Sequence, residues 1–175
     1  MLDQVLELFE ITPDHDLNIM ESGQDLFDVT SKVLLGVKKV LEYETPDFVL
    51  VHGDTTTSMA VAMAAFYLKL PVGHIEAGLR TYDINSPFPE EFNRQLTTKT
   101  STLHFAPTEI ARQNLLDEKV LDSQIFVTGN TVIDALFSMV EKARIIDFSD
   151  IILKRMPFLK QEKNETLRII LVTGH

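Results

Sequence analysis

At 175 residues, with 45 % hydrophobic and 24 % charged side chains, the chain has the length of one ordinary domain, or of one domain and part of another, and enough apolar material to build a core. A net charge of −10 argues against nonspecific nucleic-acid binding, which needs a basic face, but a few local Arg, Lys or His residues still suffice to bind an anionic small ligand. The absence of cysteine excludes disulfides, thiolate catalysis and Cys-ligated metals.

The chain starts in an amphipathic helical pattern (Leu2, Val5, Leu6, Phe9), with nothing that reads as a signal peptide. Residues 24–42 follow as a long amphipathic helix, with Leu26, Val29, Val33, Val37 and Val40 near helical spacing. After the Pro46 breaker, 47–52 is a compact β-rich run closed by Gly53. Residues 55–70 predict a helix rich in Ala and Met, small enough to lie close on a sheet, and Pro71 stops it. The stretch 59–68 is the longest nearly apolar one and is far too short to span a bilayer, so a cytoplasmic protein without membrane contact is expected.

The next strand is 72–76, and a glycine-containing loop runs over 77–88. Pro89 suits the first turn of a helix reaching about Thr100, with Glu90 and Glu91 favoured there by the helix dipole. Residues 103–106 predict a strand, Thr108 an N-cap, and 109–119 a helix. Another strand is expected at 125–129 and another helix at about 132–144. The βαβα rhythm with near-continuous apolar strands predicts an α/β, Rossmann-like parallel sheet covered by helices on both faces.

The two ends read as truncated. No strand precedes the first helix, and 168–175 is a buried-type strand ending in Thr173-Gly174-His175 without a following helix. The expected organisation is therefore an incomplete Rossmann-like domain over 1–146, an interdomain connection over 147–167, and the first strand of a second domain over 168–175.

Ligands of open parallel sheets bind at the carboxyl ends of the strands. Asp54 follows the first clear strand, Glu76 ends the next, Glu90 opens a helix, and His175 ends the last strand. Three carboxylates and a histidine on one rim suit acid–base chemistry on a sugar. Blander readings compete with this one. Asp54 before Thr55, Thr56 and Thr57 also reads as a helix N-cap, and Glu90 as a first-turn dipole partner. Glu76, beside Ala77-Gly78, has no evident structural task. His52, His74 and His104 read as satisfied core histidines, while Arg80 and Arg94 are surface residues or hold carboxylates or phosphates. There is no G-x-G-x-x-G, Walker A loop or H-E-x-x-H, so a mechanism without cofactor or metal is expected.

These segments combine into a more specific pattern: His52-Gly53-Asp54-Thr55-Thr56-Thr57, His74-Ile75-Glu76-Ala77-Gly78-Leu79-Arg80-Thr81, Pro87-Phe88-Pro89-Glu90-Glu91-Phe92-Asn93-Arg94, Pro107-Thr108-Glu109, Gly129-Asn130-Thr131-Val132-Ile133-Asp134 and Val172-Thr173-Gly174-His175. In this order they resemble the bacterial non-hydrolysing UDP-N-acetylglucosamine 2-epimerases. The resemblance implies a two-domain architecture like that of B-type glycosyltransferases, a UDP-sugar substrate in the interdomain cleft, no cofactor and a homodimer. It implies interconversion of UDP-GlcNAc and UDP-ManNAc by anti elimination of UDP to 2-acetamidoglucal and syn re-addition.

By position, Asp54, Glu76 and Glu90 match the family's catalytic carboxylates and His175 its catalytic histidine. Asp54 and Glu76 are then expected to move the C2 proton, His175 to attend the leaving UDP, and Arg80 and Arg94 to bind substrate. The family's Gly-Thr-Arg-Pro-Glu loop is expected before Met1 and its Arg-Arg-Glu continuation after His175. Three readings stay open: an epimerase, an inactive truncated fragment, and a 2-epimerase acting on a UDP-diacetamido uronic acid.

Overall fold

The structure, a computed structural model, describes residues 2–145 together with Lys154 and Val172. The expected connection over 147–167, the strand over 168–175 and His175 lie outside the described residues. Two compact units are present, 1–130 and 131–175. Helix α6 (Thr131–Ile145) belongs to the second.

Two helices, α1 (Leu2–Phe9) and α2 (Leu26–Glu44), precede the sheet. A reciprocal capping box starts α2: the Asp28 amide donates to the Asp25 carboxylate at 2.9 Å and the Asp25 amide to Asp28 at 3.1 Å. The strands are β1 (Val49–His52), β2 (Val72–Ile75), β3 (Leu103–Ala106) and β4 (Ile125–Val127). All pair in parallel, in the order β1-β2-β3-β4. Helices α3 (Thr56–Tyr67), α4 (Glu90–Thr100) and α5 (Glu109–Asp117) make the successive crossovers. The strands advance steadily in one direction, and because parallel crossovers are right-handed as a rule, these three helices share one face.

The residues of that face explain the packing. Val49, Val51 and Val72 are buried against Ala62, Ala64 and Ala65 of α3, whose small side chains let helix and sheet approach closely. A second cluster, Ala106, Ala111, Leu115 and Ile125, seats α5 on β3 and β4 together with Ala77. On the opposite face Phe105 stacks on Phe126 with ring centroids 5.9 Å apart, and Leu50 keeps 59 % of its surface exposed. Gly73 is the residue those side chains require: a Cβ there would lie 2.7 Å from Phe48 and 2.8 Å from Leu50. Among the described residues no helix is long and apolar enough to cross a membrane.

Several boundaries differ from the sequence expectation. The N-cap of α3 is Thr55, whose hydroxyl accepts from the Ser58 amide at 3.2 Å, so Asp54 is not the cap. Pro89 stands at the cap position of α4 rather than in its first turn. Strand β4 ends at Val127; Thr128 still donates to Ala106 O at 3.0 Å, and Gly129 turns away at φ +81°. Of the three histidines expected in the core, His52 is exposed, whereas His74 and His104 are buried. Alternation along β1 puts His52 on the sheet face opposite Val49 and Val51.

Candidate active site

The carboxyl ends of β1 and β2 lie side by side because His52 pairs with Ile75 in register. Gly53 extends the pairing through its amide, which donates to Ile75 O at 3.0 Å. Each chain then turns sharply. Gly53 takes φ +72°, and Glu76 takes φ +67°, a left-handed conformation that costs a non-glycine residue roughly 1–2 kcal/mol. The bends bring Asp54 and Glu76 together: a Cβ on Gly53, the residue before Asp54, would meet Glu76 Oε2 at 3.4 Å. Both acids are half-buried.

The helix that leaves the following loop completes the group. Arg94 Nη2 donates to Asp54 Oδ2 at 2.7 Å, and Asn93 Nδ2 donates to the Asp54 carbonyl at 2.8 Å. Side chain and backbone of Asp54 are thus both fixed by the first turns of α4. Glu90 opens that helix, half-buried, one turn from Arg94 on the same side. The structure therefore brings Asp54, Glu76 and Arg94 to one rim, with Glu90 one helical turn from Arg94.

Arg80 is placed differently. Its side chain has no solvent exposure. The guanidinium forks onto Glu118, with Nε to Oε1 at 2.5 Å and Nη2 to Oε2 at 3.0 Å. It donates further to Thr98 Oγ1 and to Leu79 O, each at 2.8 Å. These bonds turn it toward α4 and α5, away from exposed surface.

Two buried groups support the site, and sequence reading assigned neither of them this task. His74 Nε2 lies 2.8 Å from Gly53 O. A carbonyl only accepts, so Nε2 carries the proton. Burial pushes the imidazole down to about 4, against a weaker opposing effect of the Gly53 bond, and the ring is neutral at pH 7. It holds the peptide that precedes Asp54. Glu91 is fully buried. Burial opposes its ionisation, but bonds from Gln95, Thr81, Arg94 and Tyr82 outweigh that effect and hold the carboxyl below the ordinary range. The signal for Glu91 in the sequence is faint: an acid at the start of a helix with Arg at i+3.

The arrangement supplies two half-buried carboxylates at neighbouring strand ends, a third on an adjoining helix, and a cation oriented on the first. Such a group can remove a proton from one face of a bound substrate and return one to the other. No group of three or more His, Asp or Glu residues placed to hold a metal ion occurs among the described residues.

Comparison with known proteins agrees with this architecture. The chain matches the family UDP-N-acetylglucosamine 2-epimerase over residues 1–175. It is 54 % identical over 176 residues to the UDP-N-acetylglucosamine 2-epimerase of Escherichia coli K12, covering 100 % of this chain and 46 % of that protein. The Yersinia pestis enzyme of that name is 55 % identical over 178 residues, with the same coverage. Among solved structures, the Neisseria meningitidis UDP-GlcNAc 2-epimerase bound to UDP-GlcNAc superposes with a TM-score of 0.82 at 53 % identity, covering 92 % of this chain and 44 % of that one. The Methanocaldococcus jannaschii UDP-GlcNAc 2-epimerase in complex with UDP-GlcNAc and UDP gives a TM-score of 0.79 at 41 % identity, covering 86 % and 41 %. The chain thus spans about half the length of the relatives it matches. With a match along all of its residues and a parallel α/β sheet that superposes on these structures, the chain belongs to the UDP-N-acetylglucosamine 2-epimerase family.

Proposed function

We propose that this chain carries the acid–base part of a UDP-N-acetylglucosamine 2-epimerase site, working in the cytoplasm on UDP-GlcNAc and UDP-ManNAc. The observation that carries the reading is the juxtaposition of Asp54 and Glu76 at adjacent strand ends, with Arg94 fixed on Asp54. The solved relatives bound to UDP-GlcNAc support the substrate class. Residues 1–146 form the N-terminal domain in this reading, 147–167 lead out of it, and 168–175 begin the nucleotide-binding domain with His175 beside the diphosphate.

The C2 proton of the sugar is only weakly acidic, so cleavage of the anomeric C1–O bond leads. Oxocarbenium character at C1 acidifies C2. One carboxylate then takes the C2 proton as UDP departs with the bonding pair, leaving 2-acetamidoglucal. Protonation at C2 from the opposite face and re-addition of UDP at C1 give the epimer. Asp54 and Glu76 serve as the proton-transfer pair, and Glu90 is the third carboxylate of the site. Arg94 acts by orienting Asp54. Arg80 acts by holding the loop over 77–88, a change from the substrate contact expected at that position.

The test is a graft in which this chain replaces the 54 %-identical segment of the Escherichia coli relative. The graft should convert UDP-GlcNAc into UDP-ManNAc. A folded graft that yields no UDP-ManNAc contradicts the reading, and one that turns over only a UDP-diacetamido uronic acid reassigns the substrate.

A further inference from the structure

Glu91 sits where three parts of the site meet. Its Oε2 accepts the Thr81 amide at 3.1 Å and Arg94 Nη1 at 3.2 Å. Its Oε1 accepts the Tyr82 amide at 3.3 Å and Gln95 Nε2 at 3.0 Å. Thr81 and Tyr82 belong to the loop that starts at Glu76 and delivers the chain to Glu90, and Tyr82 is held at φ +62°. The same Arg94 reaches Asp54 with its other terminal nitrogen. One buried carboxylate therefore ties the loop between Glu76 and Glu90 to the arginine that fixes Asp54.

We propose that Glu91 is a positioning residue for proton transfer: its carboxylate sets Arg94 against Asp54 and pins the Thr81–Tyr82 backbone, so that Asp54, Glu76 and Glu90 keep one mutual geometry. The link to proton transfer rests on the epimerase reading; the contacts themselves do not. The chemistry demands a carboxylate. Four donors converge on two oxygens, whereas a glutamine offers one oxygen and presents an NH2 group to the remaining donors. Gln95 can turn its own amide to accommodate that change, but the Tyr82 amide cannot. Glu91→Gln thus changes little volume while it removes the acceptor of the Tyr82 amide and the negative charge that holds Arg94.

Two measurements test this. The first uses the 175-residue chain, comparing Arg94 side-chain nitrogen NMR signals in wild type and Glu91→Gln, with the amides of α3 and β2 as a check on the fold. Wild type should show two separate Nη environments, because both nitrogens are held; in the variant, rotation about Nε–Cζ should merge them. The second measures kcat and KM for UDP-GlcNAc in the graft. Misplacing a reacting group by about 1 Å costs on the order of 100-fold, so Glu91→Gln should lower kcat at least tenfold (~10×) while KM changes less than about twofold. Glu91→Asp keeps the charge but is one methylene short, and supplies a milder variant with a partial loss should Glu91→Gln fail to fold.

Unchanged Arg94 signals overturn the proposal, and so does a kcat within about twofold of wild type in an active graft. An equal loss in kcat/KM arising from KM alone also overturns it, since that places Glu91 in substrate binding. A wild-type graft that makes no UDP-ManNAc overturns the epimerase reading itself and, with it, the catalytic role given to Glu91.

Discussion

Replacing Arg80 by methionine separates two roles that its sequence position allows. The substitution keeps the length of the aliphatic stem and deletes the guanidinium. What disappears is a fork onto Glu118, a bond to Thr98 and a bond to Leu79 O. Removing one partner of a buried ion pair costs about 3–5 kcal/mol, most of it the penalty of leaving the other charge without compensation. The Glu118 side chain retains 18 % exposure, so water recovers part of that penalty, and the expected loss is at the lower end, about 3 kcal/mol. Urea unfolding of the 175-residue chain followed by circular dichroism measures it. Glu118→Gln and the double variant complete a cycle, with a coupling energy of about 1–3 kcal/mol expected for groups in one network. Arg80→Lys should recover little, because a single ammonium cannot reproduce the fork. A loss below about 1 kcal/mol together with additive single variants would refute the structural role, and would return Arg80 to the substrate contact expected from the resemblance.

Stability should also depend on acidity. Burial pushes the imidazoles of His74 and His104 down to about 4 from an unfolded value of 6.5. The unfolded chain therefore takes up these protons well before the folded one, so stability is full above pH 6.5 and falls as pH drops toward 4. At ~1.4 kcal/mol per unit and ring, the loss between about pH 7 and pH 5 is about 4 kcal/mol. Glu91, with its carboxyl held low, adds to the loss at still lower pH. A difference under about 1 kcal/mol between urea midpoints converted at the two pH values would contradict the neutral buried state of both rings. Gly78→Ala places a methyl 2.2 Å from Ala111 O at a residue with φ +88°. Overpacking and the left-handed backbone together should cost about 3 kcal/mol and break the 2.8 Å bond from Asn114 Nδ2 to Gly78 O. The same denaturation experiment reads the energy, and a change within about 0.5 kcal/mol would contradict the close seating of α5 on this turn.

Much of the fold was legible because its signals are local. Short apolar runs between Pro46, Gly53, Pro71 and Gly129 mark strands whatever surrounds them. Glu76 was legible as a candidate for a related reason: an acid closing an apolar strand does no packing work, and its left-handed backbone now gives a second reason to suspect function. The Asp54 N-cap alternative failed because Thr55, one residue later, caps α3 and leaves the Asp54 carboxylate for Arg94. The partner of Arg80 and the structural task of Glu91 were not legible. Arg80 meets Glu118 across 38 residues, a distance at which no periodicity connects them. Glu91 scans as a dipole partner like Glu90, and only the packing of the 77–88 loop against α4 buries one and leaves the other half open.

The central claim is that Asp54 and Glu76 move the proton at C2. It is tested most directly by incubating the graft with UDP-GlcNAc in heavy water and following the C2 position by proton NMR. Wild type should incorporate deuterium at C2 as UDP-ManNAc forms, and Asp54→Asn and Glu76→Gln should each suppress incorporation by at least about 100-fold while leaving the fold intact. Incorporation at the wild-type rate in either variant would contradict the assignment of that carboxylate to proton transfer.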